Sequence, residues 1–81
     1  MQTIVYVKSG CPWAAVVLDY LKELGVPHEV RNISTNEDFA REVEKKSGQS
    51  KSPTLDIDGK ILRDASVDDV AEHLETLGWK V

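Results

Sequence analysis

The chain has 81 residues, 14 acidic against 10 basic, a formal net charge of −4 and one cysteine. A single cysteine excludes an internal disulfide framework and fits a reducing compartment, and an acidic balance without a Lys/Arg cluster argues against a nucleic-acid binder. No apolar run approaches the roughly 20 residues that cross a bilayer, and Met1-Gln2-Thr3-Ile4 opens no basic-then-apolar leader, so the expectation is one cytoplasmic domain over residues 1–81.

Residues 3–8 are β-branched and aromatic up to Lys8. They predict a strand buried on both faces, hence central in its sheet. Ser9-Gly10-Cys11-Pro12-Trp13-Ala14 follows, at the point where this strand hands over to a helix. Proline suits the first helical position, whose N–H has no partner in any case. That makes Cys11 the N-cap. The helix runs from about Pro12 to Leu24, with Ala14, Val17, Leu18, Leu21 and Leu24 on one apolar stripe. Gly25 stops it, and Pro27 forbids continuation.

His28 to Ile33 alternates weakly and predicts a second strand. Ser34-Thr35-Asn36 starts a second helix, with Glu37 and Asp38 suited to its positive end. Phe39, Ala40, Val43 and the stem of Lys46 mark its inner face, and Gly48 ends it. Ser47 to Pro53 is a polar loop. Thr54-Leu55-Asp56-Ile57 and Lys60-Ile61-Leu62 are strands joined by Asp58-Gly59, the strongest short hairpin signal. Ser66 caps a last helix, with Asp69 three residues on. Val67, Val70, Ala71, Leu74 and Leu77 form its stripe, and Gly78 stops it. The order β-α-β-α-β-β-α implies a right-handed crossover between parallel strands. With the hairpin it gives a four-stranded mixed α/β sheet carrying helices on both faces.

The chemistry gathers at Cys11. Free N–H groups and aligned peptide dipoles at a helix start favour negative charge. A thiol placed there loses its proton more easily, and the thiolate is the nucleophile. Lys8 either closes a strand in solvent or points at the thiolate. Trp13 is expected beside the thiol and partly exposed, while Tyr20 and Trp79 are packing residues. His28 and His73 share no spacing with Cys11 that suggests a metal, so no metal site is expected.

These residues resemble the glutaredoxins, with their thioredoxin fold. Tyr6-Val7-Lys8-Ser9-Gly10-Cys11-Pro12-Trp13 is similar to the family's strand, lysine and Cys-Pro-aromatic site. Ser47 to Pro53 resembles the loop carrying its cis-proline, Asp58-Gly59 its hairpin, and Ser66-Val67-Asp68 the start of its last helix. The resemblance implies a thioredoxin-like fold and a glutathione-dependent thiol–disulfide oxidoreductase with Cys11 as its catalytic thiol. It implies glutathione held by Lys8, Trp13, Ser52, Pro53, Val67 and Asp68, and a cis bond before Pro53 that turns the Ser52 backbone toward Cys11. Glutathione as co-substrate, glutathionylated or disulfide-bearing proteins as partners and a monomeric state complete the implication.

The chain departs from the family at three places. Ala14 stands where dithiol members have a resolving cysteine, so a monothiol route follows. A natural monothiol protein and a trapping variant whose resolving cysteine has been replaced are equally consistent with Ala14. The Gly-Phe-Ser of monothiol members is absent. Arg63-Asp64-Ala65 replaces a Gly-Gly pair, and Asp64 brings negative charge toward an anionic ligand. The rival reading is a carrier in which two chains and two glutathiones ligate a [2Fe–2S] cluster, since two Cys11 thiolates alone supply half of the four ligands.

Overall fold

The computed structural model describes residues 1–81. Its elements run β1 (Thr3–Val7), α1 (Pro12–Leu24), β2 (Glu29–Asn32), α2 (Glu37–Ser47), β3 (Thr54–Ile57), β4 (Lys60–Leu62) and α3 (Val67–Thr76). The strands form one sheet in the order β2-β1-β3-β4. β1 runs parallel to β2, with Val7 opposite Asn32, and antiparallel to β3, with Tyr6 opposite Thr54. All five β1 residues are buried, as its unbroken apolar run requires of an inner strand. Asp58 and Gly59 both take positive φ, 49° and 91°, the backbone a two-residue hairpin turn needs.

Alternation along the strands divides the core in two. Val5, Val7, Leu55 and Ile57 face α1 and α3, where Ala14, Val17, Leu21, Val70 and Leu74 pack against them. Ile4 and Tyr6 face α2, where Val43 is buried and Phe39 and Ala40 pack at the edge. The α1 stripe predicted from spacing is therefore the helix's inner face.

Asn36 is the cap of α2: its side chain accepts from the N–H groups of Asp38 (2.9 Å) and Phe39 (3.2 Å). Ser66 and Asp69 form the expected reciprocal capping box, at 3.1 and 2.9 Å. Two expectations shift. The second strand is four residues rather than six, an edge strand whose Glu29 and Val30 are exposed. Leu77 is 47% exposed and does not belong to the α3 stripe. The helix ends at Thr76, with Leu77 as its C-cap before Gly78 is reached, so helical spacing no longer places residue 77 inward. Trp79 covers that end instead: its N–H donates to the Leu74 carbonyl at 3.1 Å and its ring packs on the core.

Beneath α2 the Tyr6 hydroxyl is the hub of a polar network. Tyr6 is 1% exposed, yet its hydroxyl donates to Glu42 Oε1 (2.8 Å) and accepts from Lys46 Nζ (2.8 Å). Arg31 pairs with Glu29 and Glu42 and lies over the Phe39 ring at 5.3 Å. Lys46 also pairs with Asp56 at 2.8 Å. Burial pushes the Glu42 carboxyl up, but hydrogen bonds from Tyr6 and Arg31 outweigh it and hold the group below its ordinary value. Asp56 is likewise pushed up by burial and held down overall by Lys46 and the Gly59 N–H. The apolar stem of Lys46 and a polar head with two partners, Tyr6 and Asp56, explain how a charged residue sits at this face.

Candidate active site

The site forms where β1 and β2, running parallel, both end. Open α/β sheets place their crevices beyond the carboxyl ends of such strands. The chain leaves β1 through Lys8-Ser9-Gly10, with Gly10 at φ 73°, a left-handed turn residue. The Cys11 N–H closes this turn on the Lys8 carbonyl at 3.3 Å. Cys11 then takes an extended conformation as the N-cap of α1, and Pro12 is the first helical residue. Its thiol is half-buried and unpaired.

Ser52 lies 41 residues beyond Cys11 in the chain, and the Ser52–Pro53 peptide bond is cis. Pro53 is fully buried at the start of β3, and the Ser52 carbonyl oxygen lies 3.5 Å from Cys11 Sγ. The Ser52 hydroxyl accepts from the Lys8 N–H at 2.9 Å, which ties the two loops together. The Cys11 thiol is held below its ordinary value, chiefly by hydrogen bonding with the Ser52 side chain. Burial opposes this; the Ala14 and Trp13 N–H groups at the helix start assist it; the Asp64 carboxylate pushes the thiol back up. The Ser52 carbonyl can accept only while the proton is present, so the net downward direction comes from donors that favour the thiolate.

Around the sulfur lie two hollows. One is lined by Lys8, Ser9, Cys11, Ala15, Leu18 and Asn32, the other by Trp13, Ser52, Asp64, Ala65 and Ser66. The residues around the strand-to-helix junction pointed to Lys8, Cys11 and Trp13, and the resemblance pointed to Ser52, Pro53 and Asp64. Trp13 is 68% exposed, as expected. Lys8 is exposed and meets Ser52 through its backbone N–H. Val67 is half-buried against the core, and Asp68 is exposed in the first turn of α3. Neither lines the Trp13–Ser52 hollow; the residues just before the helix do.

Asn32 escaped the sequence reading. Its amide donates to Ser9 Oγ at 3.1 Å and its carbonyl oxygen accepts from the Ser34 N–H at 2.8 Å, bracing the wall beside Cys11. A polar residue at the end of a strand parallel to β1 was the available signal. A third hollow, between β4 and α3, shares only Ala65 with these two. Side chains of the metal-binding types do not gather in threes anywhere, and the His28 ring rests its Nδ1 on the Val26 carbonyl at 2.8 Å.

Comparison with known proteins places this geometry. A mutant of the thioredoxin-like protein BC3987 superimposes with a TM-score of 0.84 over 89% of this chain and 97% of its own, at 21% identity. The glutaredoxin from Archaeoglobus fulgidus gives 0.76 over 89% and 84%, at 25% identity. A buckwheat glutaredoxin–glutathione complex gives 0.70 over 91% and 68%, at 21% identity. Identities this low in the first and third carry the fold alone. No curated protein sequence matches the chain. The glutaredoxin family model matches residues 3–62, which holds the cysteine, the cis-proline and all four strands, and α3 completes the fold beyond it. The chain belongs to the glutaredoxin family.

Proposed function

We propose that this protein is a glutathione-dependent thiol–disulfide oxidoreductase working through a single sulfur, Cys11. The observation that carries the proposal is the half-exposed Cys11 thiol at the start of α1, held below its ordinary proton affinity and facing the Ser52 backbone. Family membership supports the reaction class, and the glutathione complex of the buckwheat relative supports the co-substrate.

The Cys11 thiolate attacks the glutathione sulfur of a protein–glutathione mixed disulfide. A Cys11–glutathione disulfide forms, the protein–sulfur bond breaks, and the protein thiolate leaves and takes a proton from solvent. A second glutathione thiolate attacks the bound glutathione sulfur, which restores Cys11 and releases oxidised glutathione. Such exchange depends on the thiolate fraction of the attacker and the acidity of the leaving thiol. The Ser52 backbone, over the Pro53 floor, pairs with the extended tripeptide. Lys8 meets a carboxylate, Trp13 flanks the ligand, and Val67 and Asp68 hold the γ-glutamyl end. With Ala14 one turn beyond Cys11 there is no second thiol, so cleavage of internal protein disulfides is slow. The protein acts as a cytoplasmic monomer on glutathionylated proteins.

The test is release of glutathione from a glutathionylated peptide in the presence of excess glutathione, followed by mass spectrometry. Wild type turns over and Cys11→Ser does not. A wild-type protein that leaves the mixed disulfide intact while Cys11 stays reduced refutes the proposal.

A further inference from the structure

The turn that delivers Cys11 has no anchor in the core. Lys8, Ser9 and Gly10 are all exposed. Gly10 sits at φ 73°, and a Cβ there would meet no atom within 4 Å, so nothing packs against the residue just before the sulfur. The bond that closes the turn, from the Cys11 N–H to the Lys8 carbonyl, is long at 3.3 Å. Hydrogen bonds to neighbouring segments pin the turn instead, from two sides. Toward β3, the Lys8 N–H donates to Ser52 Oγ at 2.9 Å. Toward β2, Ser9 is held twice: its N–H donates to Ser34 Oγ at 3.0 Å, and its Oγ accepts from the Asn32 amide at 3.1 Å. The Asn32 carbonyl oxygen takes the Ser34 N–H at 2.8 Å, which closes a ring of side chains across the ends of the two parallel strands. Asn32 itself stands on firm ground. Its neighbour Ile33 is buried and donates its N–H to the Val7 carbonyl at 2.8 Å.

We propose that Asn32 is a positioning residue for the exchange reaction, acting through Ser9 to fix the turn from which Cys11 reaches the Ser52 backbone. This rests on Cys11 being the nucleophile. Thiol–disulfide exchange needs the attacking sulfur in line with the bond that breaks, and a small misplacement of a reacting atom lowers the rate steeply. The disulfide is held along Ser52, so the sulfur must be held against the same edge, where Cys11 Sγ lies 3.5 Å from the Ser52 carbonyl oxygen. With the Asn32 bonds removed, the turn keeps its tie to Ser52 but can swing about Gly10, whose backbone is the freest of any residue type. The residue type suits the task. An amide donates to Ser9 and accepts from Ser34 at once. It also carries no charge, whereas a carboxylate lining the hollow it shares with Cys11 would favour the protonated thiol, as Asp64 does from the other side. Asn32 exchanges no proton and forms no bond with substrate: the Cys11–glutathione disulfide forms, the protein thiolate leaves, and the amide is unchanged.

The test compares wild type, Asn32→Ala, Ser9→Ala and the double variant at a pH above the midpoint of Cys11 alkylation, so that every protein is fully thiolate. Two rates are read: kcat/KM on a glutathionylated peptide, which needs the sulfur aligned, and alkylation by iodoacetamide, which does not. Asn32→Ala is expected to lose about fivefold in kcat/KM, the size of one net hydrogen bond, while its alkylation rate stays within about twofold of wild type. Ser9→Ala, on an exposed turn, loses a similar factor, and the double variant loses no more than the larger single loss, because both substitutions break one contact. A folded Asn32→Ala protein with wild-type kcat/KM overturns the assignment. So does an equal loss in both rates, or a double variant whose loss is the product of the two single ones. If wild type turns the peptide over and the variants match it, only the role of Asn32 fails. If wild type leaves the peptide intact, Cys11 is no nucleophile and both readings fall.

Discussion

Replacing Tyr6 by phenylalanine keeps the ring and removes one oxygen from the hub beneath α2. That oxygen bonds Glu42 and Lys46, each at 2.8 Å, inside a side chain 1% exposed to solvent. Hydrogen bonds to charged groups contribute about 1.5–3 kcal/mol apiece. Glu42 and Lys46 keep roughly a third of their side-chain surface in water, 37% and 32%. They also keep Arg31 and Asp56 as partners, so water and these neighbours absorb part of the loss. The expected cost is about 2 kcal/mol at pH 7. In a domain of this size that lowers Tm by roughly 8–16 °C. Urea titration followed by far-UV circular dichroism measures it as a shift of midpoint at constant slope. The pH dependence carries the sign. Glu42 is held below its ordinary value in the folded protein, so its contribution is present above the unfolded value of about 4.3 and is lost as pH falls through the lower folded one. The gap between wild type and Tyr6→Phe therefore narrows in acid. A loss under about 0.5 kcal/mol at pH 7, the size of an ordinary surface change, refutes the hub.

Two further outcomes bear on the site. Iodoacetamide alkylation of Cys11, followed against pH, should reach half its maximal rate below the free-cysteine value of about 8.5, because the folded thiol is held down and the thiolate persists to lower pH; a midpoint at or above that value removes the nucleophile. Ala14→Cys places a second thiol one turn from Cys11, with Cβ atoms about 5–6 Å apart, near the reach of a disulfide after a small shift of the first turn. Ala14 is only 3% exposed, so the larger side chain costs about 1–3 kcal/mol of stability. Mild oxidation should nonetheless close the pair with loss of two hydrogens by mass, and the variant should gain activity on internal protein disulfides; two free thiols after oxidation would sink the monothiol argument.

What the chain determined by itself is local. The strand of residues 3–7, the Cys11-Pro12 start of α1, the Asn36 and Ser66 caps and the Asp58-Gly59 turn were legible because each depends on contacts within about four residues. The element order then constrained the sheet, since a short crossover allows few alternatives. Where an element ended before the pattern did, as at Leu77, local spacing misplaced a side chain. The neighbours of the sulfur were decided only by the tertiary structure. Ser52 reaches Cys11 because β3 lies antiparallel to β1, and Asn32 because β2 lies parallel to it. Asp64 joins them through Thr54 and Pro53. The same sheet brings Tyr6, Arg31, Lys46 and Asp56 together, residues whose sequence positions give no hint of a shared network. Charge and hydrogen bonding act over a few ångströms of space, and strand pairing is what turns separations of 20 to 50 residues into such distances.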